Sequence, residues 1–147
     1  MDIKADSVSP NFGMAFRKPT GKALKSLTEA VEGSKVKQRG LKQFIKEQKN
    51  LKYYDVDYVA YKDGRIVSRI INNNKGSVER AYEYIPGYTG LDAYGEQSYP
   101  GRKLIAKIFN PKKLLPRSLY FAGEEAKKLE QKKLMEETIT KNINKWF

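Results

Sequence analysis

Between residues 53 and 71 the chain reads YYDVDYVAY, then Lys62-Asp63-Gly64, then RIVSRII. Two β-rich runs separated by Asp-Gly are the strongest short-range signal for a hairpin, because both central positions of a type I′ turn need positive φ. An antiparallel sheet is therefore a fixed point that the rest of the chain must be arranged around. A two-residue Asp63-Gly64 loop would set Tyr58 opposite Arg69 on one sheet face, where ring and guanidinium can stack.

The flanking segments read as helices and further strands. Asn11 to Lys18 alternates loosely and ends at Pro19, the pattern of a first short strand. Thr20 is placed to cap a helix over 21–32, with Leu24, Leu27 and Val31 at helical spacing and Gly33 as its stop. Ser34 then caps a second helix over 35–50. Asn72 to Gly76 is a turn, and 78–84 is a third β-run. Residues 85–101 form a loop by Gly and Pro content, 103–109 can supply another strand, and 119–143 is a long helix. The expected class is α+β: an antiparallel sheet made of a hairpin at about 53–71 plus two or three further strands. Two N-terminal helices and a long C-terminal helix would cover it. At 147 residues, 39% of them hydrophobic and 12% aromatic, the chain suits a single α+β domain spanning 1–147.

The composition excludes much chemistry. There is no Cys and no His, so no disulfide, thiol nucleophile, Cys/His zinc site or imidazole base can be present. No P-loop, GxGxxG or G-x-S-x-G motif occurs. Asp55 and Asp57, two apart on a strand, could share a face as a Mg²⁺ pair, but no third carboxylate is fixed beside them by sequence. The expectation is no catalytic residue, no metal and no cofactor. No stretch approaches the roughly 20 apolar residues of a membrane span. The opening MDIKADSVSPNFGM has no basic region followed by an apolar one, so the expected location is cytoplasmic, without a membrane partner.

Charge is the most directive feature. Lys and Arg number 29 against 17 Asp and Glu, a net +12. Residues 17–52 carry +8 and residues 101–119 carry +6, while the remaining segments together are slightly acidic. A polyanion-binding face needs such segregation, provided the fold joins the two segments. On the second helix, Lys35, Arg39, Lys42, Lys46 and Lys49 fall within about 80° of one another, and Leu41, Phe44 and Ile45 lie on the other side. The row runs about 21 Å. Like charges at i,i+4 cost a few tenths of a kcal/mol, so a row of this kind suits an anionic partner better than plain solvation. In the second segment, Lys112 and Lys113 are expected on an exposed turn at Asn110-Pro111, with Arg117 nearby, as positional phosphate contacts. Tyr88, Tyr94 and Tyr99 of the Gly-rich loop can stack unpaired bases. The tyrosines of the hairpin, Tyr53, Tyr54, Tyr58 and Tyr61, are expected as half-buried sheet residues.

The last helix differs from the second. Glu124, Glu125, Glu130, Glu136 and Glu137 alternate with lysines, and Glu124–Lys128 and Glu137–Lys141 are favourable i,i+4 pairs. Phe121, Ala122, Ala126, Leu129, Met135, Ile139, Ile143 and Trp146 form a broad, drifting apolar stripe. Trp146 and Phe147 are expected to pack back on the domain, with association with a second chain as the alternative.

The expected function is binding of RNA or DNA through the phosphate backbone, without covalent chemistry. The alternative is an interaction module docking an acidic protein partner. A third reading is a histidine-free ribonuclease. The element order of a strand, two basic helices and then antiparallel strands is similar to that of the RelE/ParE-type toxin fold, whose ribonuclease members use Lys, Arg and Tyr. That similarity is one of element order and carries no residue over.

Overall fold

The computed structural model describes residues 15–83 and 110–147. Residues 11–14 of the expected first strand, the loop at 85–101 with Tyr88, Tyr94 and Tyr99, and the strand at 103–109 lie outside the described residues. Within them, α1 (Gly21–Val31) and α2 (Lys35–Gln48) precede an antiparallel sheet. Its strands are β1 (Tyr54–Ala60), β2 (Ile66–Asn72) and β3 (Ser77–Glu83), in that spatial order. A short 3₁₀ turn (Pro111–Leu114) leads into α3 (Arg117–Trp146). The architecture is α+β. Of the first predicted strand, Phe16 makes an isolated parallel bridge to Val56 beside β1.

Local chemistry sets the helix ends. Gly33, at φ 76°, turns the chain between α1 and α2, a conformation that a Cβ would penalise. The Ser34 hydroxyl oxygen accepts the Lys37 N–H at 3.2 Å and caps α2 as expected, whereas Thr20 makes no side-chain cap. The buried stripe of α1 is Ala23, Leu27 and Val31 rather than one that includes Leu24, which stays 39% exposed.

The hairpin corrects the expected register. Tyr61 N–H bonds to the Arg65 carbonyl and Gly64 N–H to the Tyr61 carbonyl, so the loop has three residues. Only Gly64 is at positive φ, 92°, and Asp63 is not. The Asp63 carboxylate instead accepts from the Arg65 backbone N–H at 3.0 Å, which holds the longer loop. One extra loop residue shifts the pairing by one, so Arg69 faces Asp57 and Tyr58 faces Ser68.

The core fills the space between one sheet face and the helices. Tyr54, Val56, Tyr58 and Ile70 meet Leu27, Phe44, Leu119, Ala122 and Ala126. Phe16 packs edge-on against Phe44 with centroids 5.2 Å apart. Two glycines allow close approach. A Cβ on Gly40 would collide with the Pro111 carbonyl, and one on Gly123 with the Phe44 ring. The buried Glu130 carboxylate accepts the Lys52 and Tyr53 backbone N–H groups at 2.8 and 2.9 Å, which fixes the entry to β1.

Past Glu130, α3 leaves the body. Seven-residue strands span about 23 Å, while a helix of 30 residues runs about 45 Å. Among the described residues the distal half has no sheet to cover it. Trp146 is 75% exposed and Phe147 fully so, and they do not pack back on the described part of the domain. The expected Glu124–Lys128 pairing is replaced by Glu124–Lys127 at 2.9 Å, and Glu137 accepts from the Tyr53 hydroxyl.

Candidate nucleic-acid interface

The α2 helix is oriented by three buried positions at four-residue spacing, Gly40, Phe44 and Gln48, the last two with side chains turned into the protein. This fixes what faces outward. Lys35, Arg39, Lys42, Lys46 and Lys49 are all exposed, in a row along the helix. Among the described residues, Lys35, Lys42, Lys46 and Lys49 form no ion pair. Their like charges therefore lie against solvent without local compensation.

The one carboxylate on the helix, Glu47, is turned aside from this row. It sits about 120° around the helix from it and is held by two ammonium groups from other elements. Lys112 Nζ donates at 2.6 Å and Lys127 Nζ at 2.8 Å, while the Gln43 amide donates at 3.0 Å. Burial works to raise the Glu47 carboxyl. The hydrogen bonds from Lys112, Lys127 and Gln43 more than offset this and bring it down to about 2. Glu124 completes the cluster, 3.3 Å from Lys112 and 2.9 Å from Lys127. Burial opposes its ionisation too, yet its carboxyl is lowered by Lys127 and Lys112. The Lys127 ammonium, disfavoured by burial, is held protonated by Glu47 and Glu124.

This cluster corrects the reading of the second basic segment. Asn110 to Lys113 is not an exposed turn. Pro111 and Lys112 are buried, Lys113 is half-buried, and the 3₁₀ turn is seated on α2 through Gly40 and through Val36 against Leu114. Lys112 is 6% exposed and committed to two carboxylates, so it is an internal cation. The signal missed in the sequence is Glu47 itself, the lone acid in a basic helix. Arg117 is half-buried with its guanidinium 5.2 Å over the Phe121 ring. It lines an open cleft between β3 and α3 together with Tyr82, Tyr120 and Lys128. The described part of the second basic segment is thus packed against the first, and of its described cations Lys113 and Arg117 keep part of their surface in solvent.

Asp55 and Asp57, the two carboxylates of β1, both have cationic partners. Asp57 takes Arg69 in a two-bond fork at 2.6 and 3.0 Å, and Asp55 takes Arg17 at 2.9 Å and the Asn73 amide at 3.2 Å. Both are nearly fully buried, and their part is to hold β1 to its neighbours. Among the described residues no helix is long and apolar enough to cross a membrane. Comparison with family models, with curated proteins and with solved structures finds no match.

Proposed function

We propose that this chain binds nucleic acid through its phosphate backbone, with the outer face of α2 as the contact surface and without covalent chemistry. The observation carrying this reading is the exposed row of Lys35, Arg39, Lys42, Lys46 and Lys49, whose four lysines form no ion pair among the described residues, beside a helix carboxylate already neutralised from within. A row about 21 Å long matches several consecutive phosphates. Among the described residues of the second basic segment, Lys113 and Arg117 have surface to offer. Phosphate contacts position a protein on nucleic acid and confer little sequence preference by themselves.

The test is fluorescence anisotropy of labelled single-stranded RNA and duplex DNA at low and moderate salt. A variant with Lys35, Arg39, Lys42 and Lys46 all changed to Gln is measured alongside. Tight binding that weakens steeply with salt and is lost in the variant supports the reading. Absence of binding at low salt overturns it and turns attention to an acidic protein partner. Shortening of the RNA during the titration would mark a ribonuclease.

A further inference from the structure

Beyond Lys49 the chain leads from the α2 row to an aromatic ring. Lys52 follows Lys49 by three residues, so their Cα atoms are at most about 11 Å apart, and both residues are exposed. Tyr53 comes next, half-buried at the entry to β1. Two ammonium groups lie over its ring. Lys52 Nζ is 5.2 Å from the centroid, and Lys133 Nζ, from α3, is 5.6 Å away. Among the described residues neither lysine forms an ion pair.

The ring is held in place from both ends by α3. The Tyr53 backbone N–H donates to the buried Glu130 carboxylate at 2.9 Å, and the hydroxyl donates to Glu137. The acids beside the ring are thus taken up by Tyr53 itself. A ring surface with ammonium groups over it is not sealed by apolar packing, and the cation–π attraction holding them there is weak at a solvent-facing position. A flat group can displace these two flexible side chains from the ring. Both ammonium groups then stay close by, as a phosphate flanking a stacked base requires. Because the ring is already oriented, little order has to be imposed on it when a ligand arrives.

We propose that Tyr53 stacks an unpaired base of a single-stranded nucleic acid whose phosphates run along α2, with Lys52 and Lys133 as phosphate contacts beside it. This rests on the phosphate-binding reading above and adds the class of nucleic acid to it. A row of cations alone accepts duplex and single strand alike. A base inside a duplex is stacked and paired on both sides, so its faces are closed to a side chain outside. Cations that follow the backbone, together with an aromatic ring that takes a base, are the elements of single-strand recognition. Every base has a π-face, so the preference is for unpaired bases and not for a sequence.

Three probes of about 12 nucleotides, within the usual range of single-strand site sizes, test this by fluorescence anisotropy with the full chain. One is a single strand, one is the same sugar–phosphate strand without its bases, and one is a duplex. The parent should bind the single strand about tenfold more tightly than the abasic strand. Tyr53→Ala should remove that difference, weakening the single strand about tenfold and the abasic strand by less than about twofold. Tyr53→Phe keeps the ring and gives up the Glu137 bond, and it should retain the preference for bases. Equal affinity of the parent for the two single-stranded probes overturns the proposal without recourse to any variant. A Tyr53→Ala change that weakens all three probes alike overturns it too. In both cases phosphate binding through α2 still stands, whereas a parent that binds none of the probes at low salt overturns that reading as well.

Discussion

The Lys112 ammonium donates to the Glu47 carboxylate at 2.6 Å, across 65 residues of chain. That bond ties the 3₁₀ turn to α2 and removes one cation and one anion from the surface together. It separates basic residues that belong to the interior from those that face solvent, and it makes the two groups experimentally distinguishable.

Lys112→Gln should lower stability and leave nucleic-acid affinity unchanged once folded. Losing the buried ammonium leaves Glu47 and Glu124 to share Lys127 alone, at a cost of about 2 kcal/mol. Urea denaturation gives the first quantity and anisotropy below the transition gives the second. A loss of affinity at full folding would make Lys112 a contact residue after all.

Single changes along the α2 row should behave in the opposite way. Lys42→Gln or Lys46→Gln removes an exposed cation with no ion pair among the described residues, so stability should move by less than about 0.5 kcal/mol. Each should flatten the slope of log affinity against log salt by roughly one contact's worth. Equal slopes in parent and variant would exclude that lysine from the interface.

Acid sensitivity follows from Glu47. Its carboxyl is lowered from 4.5 to about 2 in the folded protein. Its contribution is therefore complete above the unfolded value near 4.5 and is lost as pH falls toward 2. Glu47→Gln should be less stable than the parent at neutral pH, and the gap between them should narrow between pH 4.5 and 2. Melting temperatures across that range decide it, since a constant gap would mean that the carboxylate's charge is not what stabilises.

The seat of the 3₁₀ turn on α2 depends on a missing side chain. Replacing Gly with Ala in a helix interior ordinarily gains about 1 kcal/mol. At Gly40 the new Cβ would meet the Pro111 carbonyl, a backbone group that cannot swing away. Gly40→Ala should therefore destabilise, by about 1–3 kcal/mol. It should do so with Lys112 already changed to Gln, because the collision is with backbone and not with the ion pair. A stabilised Gly40→Ala protein would show that the turn can lift off α2 freely.

Much of this fold is readable from local signals. The Ser34 cap, the positive-φ stop at Gly33, the three β-runs and the long last helix each depend on residues within a few positions of one another, and these appear close to where they were expected. Along the α2 row the same logic holds, because helical periodicity and one buried face determine what points outward. What local signals miss depends on distant partners. The burial of Lys112 requires Glu47 and Glu124, which approach it only through the packing of α2 on the 3₁₀ turn and α3. The bare distal half of α3 follows from the width of a sheet whose extent no helix-local pattern encodes. The hairpin register turned on a single residue, Lys62, admitted to the loop by the Asp63–Arg65 bond.

That last point gives a deletion experiment. Removing Lys62 leaves Tyr61 opposite Arg65 and hands the two-residue loop to Asp63 and Gly64, the pair that best occupies a type I′ turn. All pairings beyond the loop are kept, including Asp57 with Arg69, so the sheet faces are not exchanged. Against this, Asp63 must adopt positive φ and give up its bonds to Arg65, which are exposed and weak contributors. The two effects nearly cancel, and the deletion should change stability by no more than about 1 kcal/mol, a melting shift of a few degrees. Arg69→Met sets the scale for comparison. It leaves the buried Asp57 carboxylate without its fork and should cost about 3 kcal/mol. A Lys62 deletion as damaging as Arg69→Met would mean that shortening the loop had slipped the strands and broken the Asp57–Arg69 pair.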